Sequence, residues 1–320
     1  MTAKSVAVAA PSDAHRLFSD RARALLDERC IVPALPAALG KVCVSGIGGS
    51  EGPARVHAAA LRAAGINASF VPVSGVPSEV ADELRLFSQN LSPNACLALT
   101  AATRFSRRVL VTAQAPADPK VRRFVDGGGT CVFHPPATEL GLLVRIVGPT
   151  IATHVALGTS PAVLGDRART AFERGRAIAA TIDAGALSGS VAFVTSGDGG
   201  ERAFGLRWKW LETLGVCDPP IYDVLSFIHG PFQLWHDRPM IFFSLRSAGD
   251  DAALWAAFAK VVRPAQRVVA FEATASGPMA WFEHDAIENA LLCRALELGV
   301  GHGTSWRGVG EDRAMYEIGG

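Results

Sequence analysis

Short runs of β-branched and aromatic residues alternate with Ala/Leu/Arg stretches of helical period along most of the chain. That alternation is the signature of βαβ units feeding a parallel sheet. In the first half, strands are expected over 41–46, 68–73, 83–88, 108–112 and 130–133, with helices over 50–64, 92–103 and 119–125 between them. A further helix is expected over 19–28, with Pro33 and Pro36 marking the break after it. The Ala/Arg-rich stretch 161–184 reads as one long connecting helix. The cycle then restarts, with strands over 190–195, 221–226, 240–245 and 267–271 and helices over 200–214, 252–262 and 281–298. The expected architecture is α/β, two doubly wound parallel-sheet domains in tandem, divided as 1–160 and 161–320, each of ordinary domain size.

Composition narrows the function classes. The 320 residues are 49% hydrophobic and 19% charged, which describes a globular chain. A formal net charge of +1 gives no steering towards nucleic acid or an anionic membrane. No apolar run approaches the roughly 20 residues of a membrane helix, and Asp13, His15, Arg16 and Asp20 interrupt any candidate leader. A cytoplasmic protein is expected. Six cysteines occur without a CxxC pair, and Cys43 and Cys131 fall in apolar runs where free Cys behaves as a small buried hydrophobe. His236, His284 and His302 show no ligand spacing on one element, so neither metal nor cofactor is expected.

Doubly wound sheets bind ligands beyond the carboxyl ends of their strands. After the first strand comes Gly46-Ile47-Gly48-Gly49-Ser50, a turn whose glycines let the backbone approach a ligand at a helix start. After the third comes Ser88-Gln89-Asn90-Leu91-Ser92-Pro93, where Ser92 is equally well read as a helix N-cap. A third segment is Gly148-Pro149-Thr150-Ile151-Ala152-Thr153, followed by His154. The second half carries Gly197-Asp198, then Lys209-Trp210-Leu211-Glu212, then Ser226-Phe227-Ile228-His229-Gly230-Pro231. A carboxylate partly desolvated among Trp208, Trp210 and Leu211 suits proton transfer near neutrality. Lys209 or Arg207 could stabilise an enediolate oxygen. Lys209 and Glu212 also have the i,i+3 spacing of an ordinary helix-surface ion pair, and His229 could merely bond a turn carbonyl.

Together these segments resemble the sugar isomerase (SIS) family, with two flavodoxin-like SIS domains as in the isomerase half of the glucosamine-6-phosphate synthases. The family's second loop is typically Ser-Gln-Ser-Gly-Glu-Thr and binds a sugar phosphate; here Ser88 and Gln89 match, while Asn90 and Pro93 replace hydroxyl donors. The resemblance implies Gly48, Gly49, Ser50, Ser88, Gln89, Asn90, Ser92, Thr153, His154, Ser196 and Arg307 as ligand contacts. It implies Glu212 as the base between sugar C1 and C2, Lys209 one turn earlier, and His229 as the ring opener reaching across from a neighbouring subunit. The aminating members use a Schiff-base lysine in the C-terminal tail. The last lysine here is Lys260, and the Gly-rich tail around His302, Trp306 and Arg307 offers arginine instead.

The expectation is therefore a non-aminating isomerase of a sugar phosphate or related polyol, without an amidotransferase reaction. A homodimer is expected, with Phe227, Phe232, Trp235, Phe242 and Phe243 as candidate contact residues. Two alternatives stay open: a sugar-phosphate sensor without turnover, and an enzyme whose substrate lacks phosphate.

Overall fold

The computed structural model describes Asp20, Ala22 and residues 32–135, 146–164, 166–301 and 311–318. In the first half the order is β1 (Val42–Gly46), α1 (Glu51–Ala63), β2 (Ala68–Phe70), β3 (Glu83–Phe87), α2 (Pro93–Ala101), β4 (Arg107–Thr112), α3 (Pro119–Asp126) and β5 (Thr130–Phe133). Their sheet is wholly parallel, in the order β2-β1-β3-β4-β5. The helices α4 (Val147–Leu157) and α5 (Asp166–Ala179) lead to β6 (Val191–Thr195), α6 (Gly199–Leu214), β7 (Ile221–Asp223), β8 (Met240–Arg246), α7 (Ala252–Val261), β9 (Gln266–Glu272) and α8 (Ala280–Glu297). The second sheet is again parallel, in the order β7-β6-β8-β9. The α/β fold with two doubly wound sheets is as the alternating pattern predicts. No helix among the described residues is long and apolar enough to cross a membrane.

Strands β1 and β6 are buried along their whole length, because a parallel sheet is covered on both faces. The equally buried β3 carries an ionic exception. Glu83 and Arg85 point to one side two residues apart and pair at 2.7 Å. Arg85 also donates to the carbonyl of Pro36 (2.7 Å) and contacts His57 Nε2 at 2.9 Å. His57 Nδ1 meets the Ala156 carbonyl at 2.6 Å. Burial, reinforced by Arg85, pushes the imidazole down to about 4, which favours its neutral form. This network ties the approach to β1, the sheet and α4 together at the end remote from the expected ligand loops.

Three expectations need correction. The stretch 161–184 is not one helix: it holds Pro161–Leu164, α5 and a start of Ala184–Ser188. Asp183 begins the last of these by accepting from Ala186 N at 2.8 Å, a side-chain cap that restarts rather than continues a helix. The strand expected over 221–226 stops at Asp223, whose carboxylate accepts from the amides of Leu225 (2.9 Å) and Ser226 (3.0 Å) and opens a short helix. The strand expected over 68–73 ends at Phe70, and a 3-10 turn follows at Val73–Ser78. Of the helix expected over 19–28, Asp20 and Ala22 are helical and the rest lies outside the described residues.

The two halves meet where α1 crosses α6. A Cβ on Gly52 would stand 2.4 Å from the Gly205 Cα, so the backbones touch and neither position admits a side chain without displacement. That close crossing carries the far end of α6 to the glycine turn after β1.

Candidate functional site

The cleft lies at the carboxyl ends of β1 and β3. Ile47, Gly48, Gly49 and Ser50 line one side, Ser88, Gln89, Asn90, Ser92 and Asn94 another, and Glu212 and Tyr316 complete it. All seven ligand contacts expected from the two first-half loops thus converge with the expected base. The Gly49 N–H donates to Glu212 Oε1 at 2.9 Å. Gly48 has φ +59°, which favours glycine, and a Cβ there would stand 2.9 Å from Glu212 Oε1 and displace that carboxylate. The amide of Gln89 donates to Ser50 Oγ at 3.2 Å, joining the two loops.

The second loop departs from an ordinary turn at Leu91, which takes φ +47°. Glycine takes the left-handed region without strain, whereas a leucine there costs of order 1 kcal/mol. Its buried side chain joins the cluster of Leu84, Leu86 and Ala98, which offsets the strain. The Leu91 carbonyl accepts from Lys120 Nζ at 3.1 Å, which holds that cation beneath the loop. Ser92 stands at the N-cap of α2, but its side chain makes no capping bond, and it lines the cleft instead. Pro93 at the first helical position contributes no N–H.

The other expected contacts sit elsewhere. Thr153 is fully buried in α4, its hydroxyl donating to the Pro149 carbonyl at 2.9 Å. His154 is buried, contacts the Thr159 carbonyl through Nδ1 at 2.7 Å and stacks on Phe282 with centroids 4.4 Å apart. Burial pushes its imidazole down to about 4, and the nearby Lys209 charge acts in the same direction. Ser196 follows β6, at the edge of the second sheet. There the buried Arg202 spans Asp198 (2.7 Å), the Gly277 carbonyl (3.2 Å) and Ser247 (3.0 Å). None of the three lines the cleft. Arg307 and the glycine-rich tail around it lie outside the described residues.

Lys209 is the largest correction. It is fully buried. Its ammonium pairs with Asp285 of α8 and donates to Thr150 Oγ1 (2.7 Å) and Asn289 Oδ1 (3.0 Å). It is neither an enediolate partner at the cleft nor the surface ion pair that its spacing also allowed. Arg207 is equally committed elsewhere, with Nε donating to Asp218 at 2.6 Å. Burial pushes the Asp285 carboxyl up in spite of these partners. Burial also raises neighbouring Glu288 far above its ordinary range, favouring the protonated acid.

His229 is exposed on the segment after β7, and nothing described here brings it to the cleft of its own chain. Sequence reasoning missed Asn94 and Tyr316. With its amide oriented to satisfy its neighbours, Asn94 donates to the carbonyls of Met315 (2.9 Å) and Tyr316 (2.5 Å). This fastens the last short helix, Arg313–Tyr316, over the cleft. Asn94 is two residues beyond Ser92, in the first turn of α2, and was in reach of a helix-start argument, whereas nothing in the sequence points Tyr316 there.

The geometry defines an α/β protein with two parallel sheets and a polar cleft at the carboxyl edge of the first. No family model and no curated protein matches the sequence. Solved structures do match its fold. Glucosamine-6-phosphate deaminase from Thermotoga maritima has a TM-score of 0.68 at 14% identity, covering 92% of this chain and 95% of that one. The C-terminal domain of glucosamine-fructose-6-phosphate aminotransferase from Francisella tularensis gives 0.67 at 12%, covering 95% and 100%. Tagatose-6-phosphate ketose/aldose isomerase from Escherichia coli gives 0.63 at 18%, covering 92% and 90%. The fold is thus that of the phosphosugar isomerases and their sugar-binding relatives.

Proposed function

We propose that this chain is a non-aminating aldose–ketose type isomerase, a cytoplasmic protein of two tandem SIS domains divided near residue 160. It acts on a sugar phosphate or related polyol held in the first-half cleft. The observation that carries this reading is the delivery of Glu212 from the second half to the Gly49 amide, among hydroxyls and amides of two loops and the tail. Interconversion of an aldose and a ketose needs a base that takes a proton beside a carbonyl and returns it to the adjacent carbon. A fixed carboxylate facing Ser50, Ser88, Ser92 and Asn90 is placed for that, and their donors and acceptors suit vicinal hydroxyls. Solvent deuterium entering a candidate sugar beside its carbonyl is the test; no exchange into any of a panel of sugars, phosphorylated or free, would overturn the reading.

A specific observation favours an unphosphorylated substrate. Among the described lining residues Glu212 alone carries charge, the Gly49 N–H is already engaged by it, and Lys120 is held at the Leu91 carbonyl. Each charge-assisted hydrogen bond lost from a phosphate costs about 1.5–3 kcal/mol. With Asn90 and Pro93 in place of two hydroxyl donors, hexose 6-phosphates should bind more weakly than an ordinary loop allows, by roughly two orders of magnitude or more. Calorimetry showing micromolar affinity for fructose or glucosamine 6-phosphate would restore the phosphorylated substrate.

The ring-opening role of His229 belongs to the cleft of a second protomer, so a homodimer is part of the proposal. Of the aromatic residues that the sequence offered for such a contact, Phe227, Phe242 and Phe243 are core, and Phe232 and Trp235 are half-buried against it. The apolar side chains that do face outwards around His229 are Leu225 (56% exposed), Ile228 (44%) and Leu234 (55%). Light scattering at micromolar concentration should give twice the 33.6 kDa chain mass; a monomer mass would remove His229 from the mechanism.

A further inference from the structure

Glu212 can act on a ligand in the first half only if α6 holds one rotation and one depth against α1. Along α6 the residues Glu201, Gly205, Trp208 and Glu212 recur at helical spacing and form the stripe that faces α1. Gly205 lies in backbone contact with Gly52, which sets the depth but leaves rotation about the contact free. Rotation is restrained one turn earlier, where Glu201 meets Arg55 (3.1 Å) and Arg62 (3.1 Å) of α1, and one turn further on at Trp208, the contact nearer Glu212. Trp208 Nε1 donates to Glu51 Oε2 at 2.8 Å. The other oxygen of that carboxylate, Glu51 Oε1, accepts from Arg55 Nε at 2.7 Å. Arg55 is itself held at Glu201 (3.1 Å), with its guanidinium 3.7 Å over the Phe204 ring and 4.0 Å over Phe70. Glu51 is the first residue of α1 and stands two positions after Gly49, the partner of Glu212. Trp208 therefore ties the helix that bears Glu212 to the turn that receives it, with a charge-assisted hydrogen bond whose acceptor is immobilised from its far side.

We propose that Trp208 is a positioning residue: by its hydrogen bond to Glu51 it aims the Glu212 carboxylate at the Gly49 amide. The catalytic consequence rests on the reading of Glu212 as the base, whereas the geometric one does not. An amide that donates to a carboxylate shifts its resonance when the carboxylate is protonated. In the wild-type chain the Gly49 amide should follow the titration of Glu212, and the response should vanish in Glu212→Gln.

In Trp208→Phe, which keeps an aromatic ring but no donor, the Gly49 response should fall to less than about half, and hydrogen exchange at that amide should quicken about tenfold. Glu51→Gln keeps one oxygen where Trp208 and Arg55 each need one, so the response should weaken, while Glu51→Leu, which leaves neither donor an acceptor, should lower it at least as far as Trp208→Phe does. The last variant reads the same contact from the other helix should the Trp208 substitution unfold the chain. A Gly49 response unchanged in Trp208→Phe or in Glu51→Leu would overturn the proposal. If solvent exchange into a sugar is observed, it should fall about tenfold or more in Trp208→Phe with KM little changed, since misplacing a base lowers turnover before it lowers binding. Loss of the amide response with no sugar exchange in any variant would sustain the positioning role and fail the isomerase reading.

Discussion

Glu212→Gln is expected to leave the fold and ligand affinity in place and to lower proton exchange into the substrate by about a thousandfold. The amide that replaces the carboxylate has the same shape, and its oxygen can still accept from the Gly49 N–H, so the contact at 2.9 Å survives. What it loses is the capacity to take a proton. Positioned general bases contribute roughly 10²–10⁴-fold, and no second carboxylate lines the described cleft. Thermal melting and ligand titration should match the wild type while deuterium incorporation collapses. Exchange within about threefold of the wild type, against that expected range, would remove Glu212 as the base.

The second large effect concerns stability. Lys209→Met is expected to destabilise the chain by about 3–5 kcal/mol, because it leaves Asp285 buried without its counter-charge. Thr150, on α4 after the first sheet, contacts both partners: its hydroxyl lies 2.7 Å from Lys209 Nζ and 2.7 Å from Asp285 Oδ2. The loss should therefore reach the joint between the halves as well as the second sheet. Desolvation raises the Asp285 carboxyl despite the lysine, and the attraction within a buried pair often does no more than offset the cost of burying its charges. Replacing both partners, as Lys209→Met with Asp285→Leu, should recover most of the loss. Urea denaturation of the single and double variants measures both effects. A single-variant loss under about 1 kcal/mol would mean that water reaches the site and screens the charge.

These two residues, three apart on one helix, mark the boundary between what the sequence determined and what only tertiary structure decided. The alternation of apolar runs with helical stretches determined the two parallel sheets, because buried parallel strands and their crossover helices leave a periodicity of their own. It also determined where the two first-half loops would stand, since a strand that ends in Gly46-Ile47-Gly48-Gly49-Ser50 or Ser88-Gln89-Asn90 opens a helix at the carboxyl edge of the sheet. The Asp183 and Asp223 caps were written in the sequence too, but a single aspartate in an apolar stretch is too weak a local signal against the surrounding period. The fates of Lys209, Thr153 and His154 had no local signal at all. Each lies on a helix covered by another from far along the chain: Lys209 finds its carboxylate 76 residues away, and His154 stacks on Phe282 of α8. Glu212, on the same helix as Lys209, instead meets an amide 163 residues earlier. Spacing on a helix places side chains on a face, but which face meets a cleft and which meets a core follows from the helices packed on either side. Here the Gly52–Gly205 contact, between two residues without side chains, set the depth of the crossing, and the contacts of Trp208 and Glu201 with α1 set its rotation.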